Sequence, residues 1–224
     1  IITAIATGYS RMSEISTKVG ESTTTCTSYI KNLINLGIIK KETPYGEKAS
    51  KKTIYSIEDN MFYFWYRFVL KNSAVIARGA ADLVYKRIEK QLNDYMGRIF
   101  EEICTQYLWK QLLSGNMPVE FVSLGRWWGN DPGKRSQTEI DIMGEQDSSS
   151  AIFAECKWRN ESVDLDILET LIERSGLFRY TKIHYFLFSK TGFTKGCMEK
   201  AAEMGNVSLI KYEDIIDAMT HQYR

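Results

Sequence analysis

Histidine and proline are scarce in this chain of 224 residues, at two and three, and its four cysteines, Cys26, Cys104, Cys156 and Cys197, contain no CxxC pair. That spacing excludes a zinc knuckle and a disulfide framework, so buried thiols in a reducing, cytoplasmic setting are expected. With His184 and His221 as the only histidines, there is no histidine metal pair and no Ser, His and Asp set for nucleophilic catalysis. No apolar run reaches the roughly 18 residues of a spanning helix. The densest, 61–70, contains Arg67 and runs into Lys71. A signal peptide at Ile1 is not expected, because no charged segment precedes an apolar core, and the missing initiator Met leads us to expect more protein upstream.

The length allows one large domain or two modest ones, each able to bury a core. The net charge of +1 is unevenly spread. Residues 1–57 carry eight Lys or Arg against four Asp or Glu, 58–96 six against five, and 97–224 fifteen against nineteen. The basic end suits contact with phosphates, whereas the acidic remainder needs cations or local Lys and Arg to approach DNA.

Residues 1–57 are expected to form a winged helix-turn-helix domain. Ser10 can cap a helix ending at Val19 and Gly20, and Ser22 a second with Cys26, Tyr29, Ile30 and Leu33 inward. Thr25, Ser28, Lys31 and Asn32 then line the outer face, the place of a reading helix. Short strands over 38–42 and 52–57, joined through Pro44-Tyr45-Gly46, would make the wing. Its lysines, Lys40, Lys41, Lys48, Lys51 and Lys52, can reach phosphates without reading sequence. DNA is the expected partner; protein docking is the alternative use.

Residues 58–96 are expected to connect the two halves, and the aromatic run at 61–70 to be buried between them. Residues 97–224 read as a helix over 97–113, a strand over 119–124, a loop bearing Trp127 and Trp128, and strands over 139–143 and 151–158. A helix over 165–178, a strand over 183–189, a helix over 194–204, a strand over 207–210 and a last helix follow. This αβββαβ order resembles the PD-(D/E)xK nucleases, so the expected fold class is α/β, a restriction-endonuclease-like domain behind the winged helix-turn-helix. On a strand, Glu155 and Lys157 share a face, and a hairpin that sets Asp141 opposite Glu155 makes the three converge. A slip of one residue would separate them.

The resemblance implies that Glu101, from the helix, joins Asp141 and Glu155 in holding Mg²⁺ or Mn²⁺. Clustered carboxylates need such a cation, and their hard oxygens suit it. Lys157 would orient the attacking water or stabilise the developing anion. Arg126 is a further nucleic-acid candidate, although two tryptophans beside it would ordinarily pack under a loop. Ser189 and Thr194 read as a turn and a helix cap, and both histidines as structural.

Beyond single motifs, an ordered set resembles the C-terminal region of a prokaryotic AAA-type ATPase family, in which a winged helix precedes a nuclease-like domain of unknown function. The set is Phe64-Trp65-Tyr66-Arg67-Phe68, Gly125-Arg126-Trp127-Trp128, Glu139-Ile140-Asp141, Glu155-Cys156-Lys157-Trp158 and Ser189-Lys190-Thr191-Gly192-Phe193-Thr194. It implies an ATPase module upstream of Ile1. No nucleotide site is expected in this chain, because residues 129–134 lack the G-x-x-x-x-G-K-[ST] spacing. Two functions are therefore carried forward: a Mg²⁺-dependent deoxyribonuclease module, and a noncatalytic DNA-binding or protein-interaction module with a degenerate nuclease fold.

Overall fold

The protein, in a computed structural model, is described over residues 1–48 and 51–220, so His221 lies outside the described residues. It is a mixed α/β protein with a two-stranded and a five-stranded sheet. It divides into two compact units, Ile1–Gln91 and Leu92–Arg224.

In the first unit, helices α1 (Ile2–Ala6), α2 (Met12–Val19) and α3 (Thr23–Asn35) precede the antiparallel strands β1 (Ile39–Glu42) and β2 (Ile54–Ile57). Ser22 caps α3 as expected, its hydroxyl accepting from the Thr25 amide at 3.1 Å. Ser10 does not cap α2. Arg11 is the cap residue, and Glu14 reaches back to the amides of Ser10 and Arg11, both at 3.1 Å. Glu14, at the third helical position, takes the part of the reaching-back carboxylate in a capping box. Gly20 ends α2 in the left-handed region, at φ 77°. Tyr29 is exposed rather than inward, since Cys26 and Ile30 alone are buried on α3.

The aromatic run also departs from expectation. After α4 (Asn60–Phe64) the chain widens into a π turn over Trp65–Val69, then a 3-10 turn over Leu70–Asn72 and α5 (Ser73–Ile76). Tyr63 and Phe68 are buried, yet Met61, Phe62, Trp65 and Leu70 are exposed. The wide turn, with its i→i+5 repeat, brings positions 63 and 68 to one side and turns the others away. Arg67 fills the gap, donating to the Tyr63 hydroxyl at 2.9 Å and lying over the Tyr63 and Phe68 rings.

Helix α6 runs unbroken over Ala81–Leu113. Residues 81–96 thus belong to the same helix as 97–113, because good helix formers on both sides of Gly97 outweigh its cost of about 1 kcal/mol.

The sheet of the second unit has the order β3 (Ser123–Asp131), β4 (Ser136–Glu145), β5 (Ser150–Lys157), β6 (Lys182–Ser189), β7 (Val207–Lys211). The first three strands pair antiparallel and the last three parallel. Helices α7 (Leu165–Ser175), α8 (Lys195–Met204) and α9 (Tyr212–Thr220) complete the unit. Trp127 and Trp128 lie in β3, not in a loop, opposite Ile140 and Glu139. The turn follows them, where the Asp131 carboxylate accepts from the amides of Gly133 and Lys134.

Alternation along β5 sorts the two faces. Ile152, Ala154 and Cys156 join the core containing Phe100, Cys104 and Leu108 of α6. On the other face Phe153 meets Phe178, which also packs edge-on against Trp127 at 5.0 Å. His184 bonds Ser208 at 2.9 Å, and burial lowers its pKa, in keeping with a structural role. No helix among the described residues is long and apolar enough to cross a membrane.

Candidate active site

The site forms where β4 and β5 part. Their ladder runs from Glu145 opposite Ala151 to Ile142 opposite Ala154, so the next step of the same register sets Asp141 against Glu155. There the Asp141 side chain takes over from the backbone, its Oδ2 accepting from the Cys156 amide at 2.8 Å. On its other side β4 is irregular. Gly125 faces Met143 and Trp127 faces Ile140, so Asp141 and Ile142 together oppose Arg126. Such a bulge re-aims a side chain at the end of a ladder.

Asp141 and Glu155 are each only 6 % exposed. Two cations meet Glu155. Lys157 Nζ lies 2.6 Å from Oε1, and Arg174 Nη1 lies 3.3 Å from Oε1 and 3.1 Å from Oε2. Burial works against the Lys157 ammonium, but the carboxylates of Glu155 and Asp141 outweigh it and hold its pKa above the ordinary value. Burial, then the charge of Glu155, pushes Asp141 up to about 6 despite Lys157 and the Cys156 amide.

Glu101 comes from α6, the helix that packs on the Cys156 face, while Glu155 and Lys157 point to the opposite face toward α7. Burial first, then Asp141, pushes Glu101 up to about 8, partly offset by Arg126. Arg126 stands 3.7 Å from Glu101 and donates to Glu139 at 3.1 Å. Glu101 is thus a neighbour of Asp141, which stands between it and Glu155. Among the described residues no group of three or more His, Cys, Asp or Glu side chains is poised to hold a metal ion.

Arg174 is the site residue that sequence reasoning missed. It sits in the last turn of α7, 19 residues from Glu155. Its one local signal is a basic residue at a helix C-terminus, which the helix dipole already explains.

The loop after β6 bonds to the loop after β5. Ser189 bonds Gly192 at both its amide and its carbonyl, and Thr194 caps α8 while donating to Asp164 at 2.7 Å. Asp164 in turn caps α7. These bonds fix the helix that presents Arg174.

Of the nucleic-acid candidates in the first unit, Ser28, Lys31 and Asn32 are exposed on α3, whereas the Thr25 hydroxyl bonds Ser22 at 2.8 Å. Lys41, Lys48 and Lys51 are exposed, Lys40 lies 3.9 Å from Glu58, and Lys52 donates to Glu47 at 2.9 Å.

A family model described as archaeal and bacterial proteins of unknown function, DUF234, matches residues 65–168. The chain is 33 % identical over 162 residues to the uncharacterized protein MJECL04 of Methanocaldococcus jannaschii, across 71 % of this chain. It spans about a third of that relative, 35 % of its length. Among solved structures, protein VC1899 from Vibrio cholerae is similar at 13 % identity and a TM-score of 0.44, covering 99 % of this chain and 48 % of that one. The DNA modification-dependent restriction endonuclease AspBHI is similar at 14 % identity and a TM-score of 0.29, over 56 % of this chain and 35 % of that one.

Proposed function

We propose that the second unit is a PD-(D/E)xK-type module that hydrolyses DNA phosphodiesters with a divalent cation. The observation that carries the proposal is the Asp141, Glu155 and Lys157 constellation at the parting of β4 and β5, with Asp141 anchored on the Cys156 amide. Asp141 and Glu155 would hold the ion, with Glu101 beside Asp141. The donor chemistry fits: the oxygens are hard, Mg²⁺ needs only one or two carboxylates beside its waters, and a cation would offset the burial that raises the pKa values of Glu101 and Asp141. When bound, the ion would activate water and screen charge on the phosphate.

Lys157 remains protonated at neutral pH, since its pKa is raised, and can donate toward a water or a phosphate oxygen. Its bond to Glu155 fixes the direction of the ammonium. Ile142, Phe153 and Cys156, next to these groups along β4 and β5, are buried, and a low local dielectric strengthens charge interactions. In the first unit, α2, α3 and the β1–β2 hairpin are proposed to act as a winged helix-turn-helix, with Lys31, Lys41, Lys48 and Lys51 touching phosphates. The full protein is proposed to carry an ATPase module outside this chain.

A second reading has its own support, because Lys157 and Arg174 already neutralise Glu155. In that case the module binds DNA or protein without cutting. Incubation of the chain with supercoiled, linear, branched and single-stranded DNA, in Mg²⁺ or Mn²⁺, decides between them. Cleavage lost in both Asp141→Ala and Lys157→Ala supports the nuclease. A wild type that binds DNA but cuts none of these substrates leaves the noncatalytic module.

A further inference from the structure

Two carboxylates stand with two cations: Lys157 bonds Glu155 and acts on Asp141 through its charge, and Arg174 bonds Glu155. The two cations are not equivalent. Lys157 sits on the same strand and face as Glu155, two residues away, so their separation is limited by the strand itself. Arg174 arrives on a different element and meets Glu155 through one nitrogen, Nη1, which spans both oxygens at 3.1 and 3.3 Å. A guanidinium carries five donors in a planar fork. The contact therefore uses a small part of its capacity, and the side chain is 24 % exposed.

The geometry points to Arg174 as a phosphodiester-binding residue, held in reserve on Glu155 and transferred to a DNA phosphate oxygen when a divalent cation takes up the Glu155 carboxylate. This inference rests on the reading of the site as a phosphodiester-hydrolysing one. The charge count supports it. A divalent cation added to a balanced set leaves two positive charges in excess, one for a diester phosphate and one for the charge that develops as water adds. A guanidinium fork matches two phosphate oxygens, and an ammonium does not. The anchoring of α7 through Asp164 and Thr194 keeps the Arg174 backbone in place, so the transfer needs only side-chain rotation.

The transfer is tested in Ca²⁺, using fluorescence anisotropy of a labelled duplex with and without the ion, beside calorimetry of Ca²⁺ alone. In the wild type Ca²⁺ tightens DNA binding roughly tenfold, the value of one charge-assisted contact. Arg174→Ala binds Ca²⁺ at least as tightly as the wild type, since a competing cation is gone, but gains less than about twofold in DNA affinity. Arg174→Lys recovers part of the gain, having the charge without the fork. Thermal melting checks that each variant is folded. A full gain in Arg174→Ala overturns this inference alone, provided that Asp141→Ala abolishes the gain. Loss of Ca²⁺ binding in Arg174→Ala also overturns it, by showing that the arginine merely builds the site. A wild type that takes up no Ca²⁺ overturns the functional reading and this inference with it.

Discussion

Glu101 makes the protein's stability depend on pH in a window where few other groups titrate. Its carboxyl is pushed from 4.5 to about 8 in the native state, by burial and then by Asp141. Between those two values the unfolded chain is ionised and the native one is protonated, so stability falls as pH rises, by about 1.4 kcal/mol per unit. The fall ends above the native pKa. Asp141, raised from 3.8 to about 6, acts in the same direction but has finished its share by about that pH. His184, lowered from 6.5 by burial, acts in the opposite direction and below 6.5. From pH 6.5 to pH 8 the slope therefore belongs to the interacting carboxyls of Glu101 and Asp141, with Glu101 the more strongly raised, for a total loss on the order of 2 kcal/mol. Urea unfolding followed by tryptophan fluorescence reads it, since Trp109, Trp127, Trp128 and Trp158 all lie in the second unit. Glu101→Gln should be flat over the same range. An equal slope in wild type and Glu101→Gln, or a flat wild type, would refute the argument from burial beside Asp141.

Two glycines predict opposite effects of the same substitution. Gly97→Ala in α6 is expected to stabilise by about 0.5–1 kcal/mol, because an added Cβ meets nothing within 4 Å and helix propensity improves. Gly144→Ala in β4 is expected to destabilise the second unit by about 2 kcal/mol or more, because the Cβ would stand 2.6 Å from Leu124 Cδ2 and 2.7 Å from the Ser123 carbonyl; melting temperatures of the two variants check both signs. Thr194→Ala, which removes the α8 cap and the bond to Asp164, should cost about 1 kcal/mol in urea unfolding.

What was legible in the sequence is what repeats locally. Glu155 and Lys157 share a face because strands alternate, and the β4–β5 register, carried one step beyond Ile142 and Ala154, sets Asp141 opposite Glu155. Ser22 and Thr194 were legible as caps because a hydroxyl before a helical pattern can accept from an amide three residues on. Ser10 failed because the helix begins one residue later, with Arg11 at the cap and Glu14 accepting from the amides of Ser10 and Arg11, an offset of one residue that spacing does not resolve. Trp127 and Trp128 lack a clear alternating pattern around them, with Gly125 and Gly129 close by. Pairing with a ten-residue β4 overrode that signal.

The carboxylates show where such reasoning ends. Period-two alternation says which residues of one strand share a face, but not which face receives the helix that carries Glu101. In the structure α6 covers the Cys156 side and α7 the Glu155 side, and Asp141 interacts through its charge with both Glu101 and Glu155. The same division of faces brings Arg174 to Glu155, a pairing of two elements 19 residues apart that no local pattern encodes. A site assembled from one face of a strand and helices on both sides of a sheet has half its chemistry in tertiary placement. Any cation that joins Asp141 to Glu155 must therefore compete with Arg174, and Glu101 bears on that competition through its charge interactions with Asp141 and Lys157.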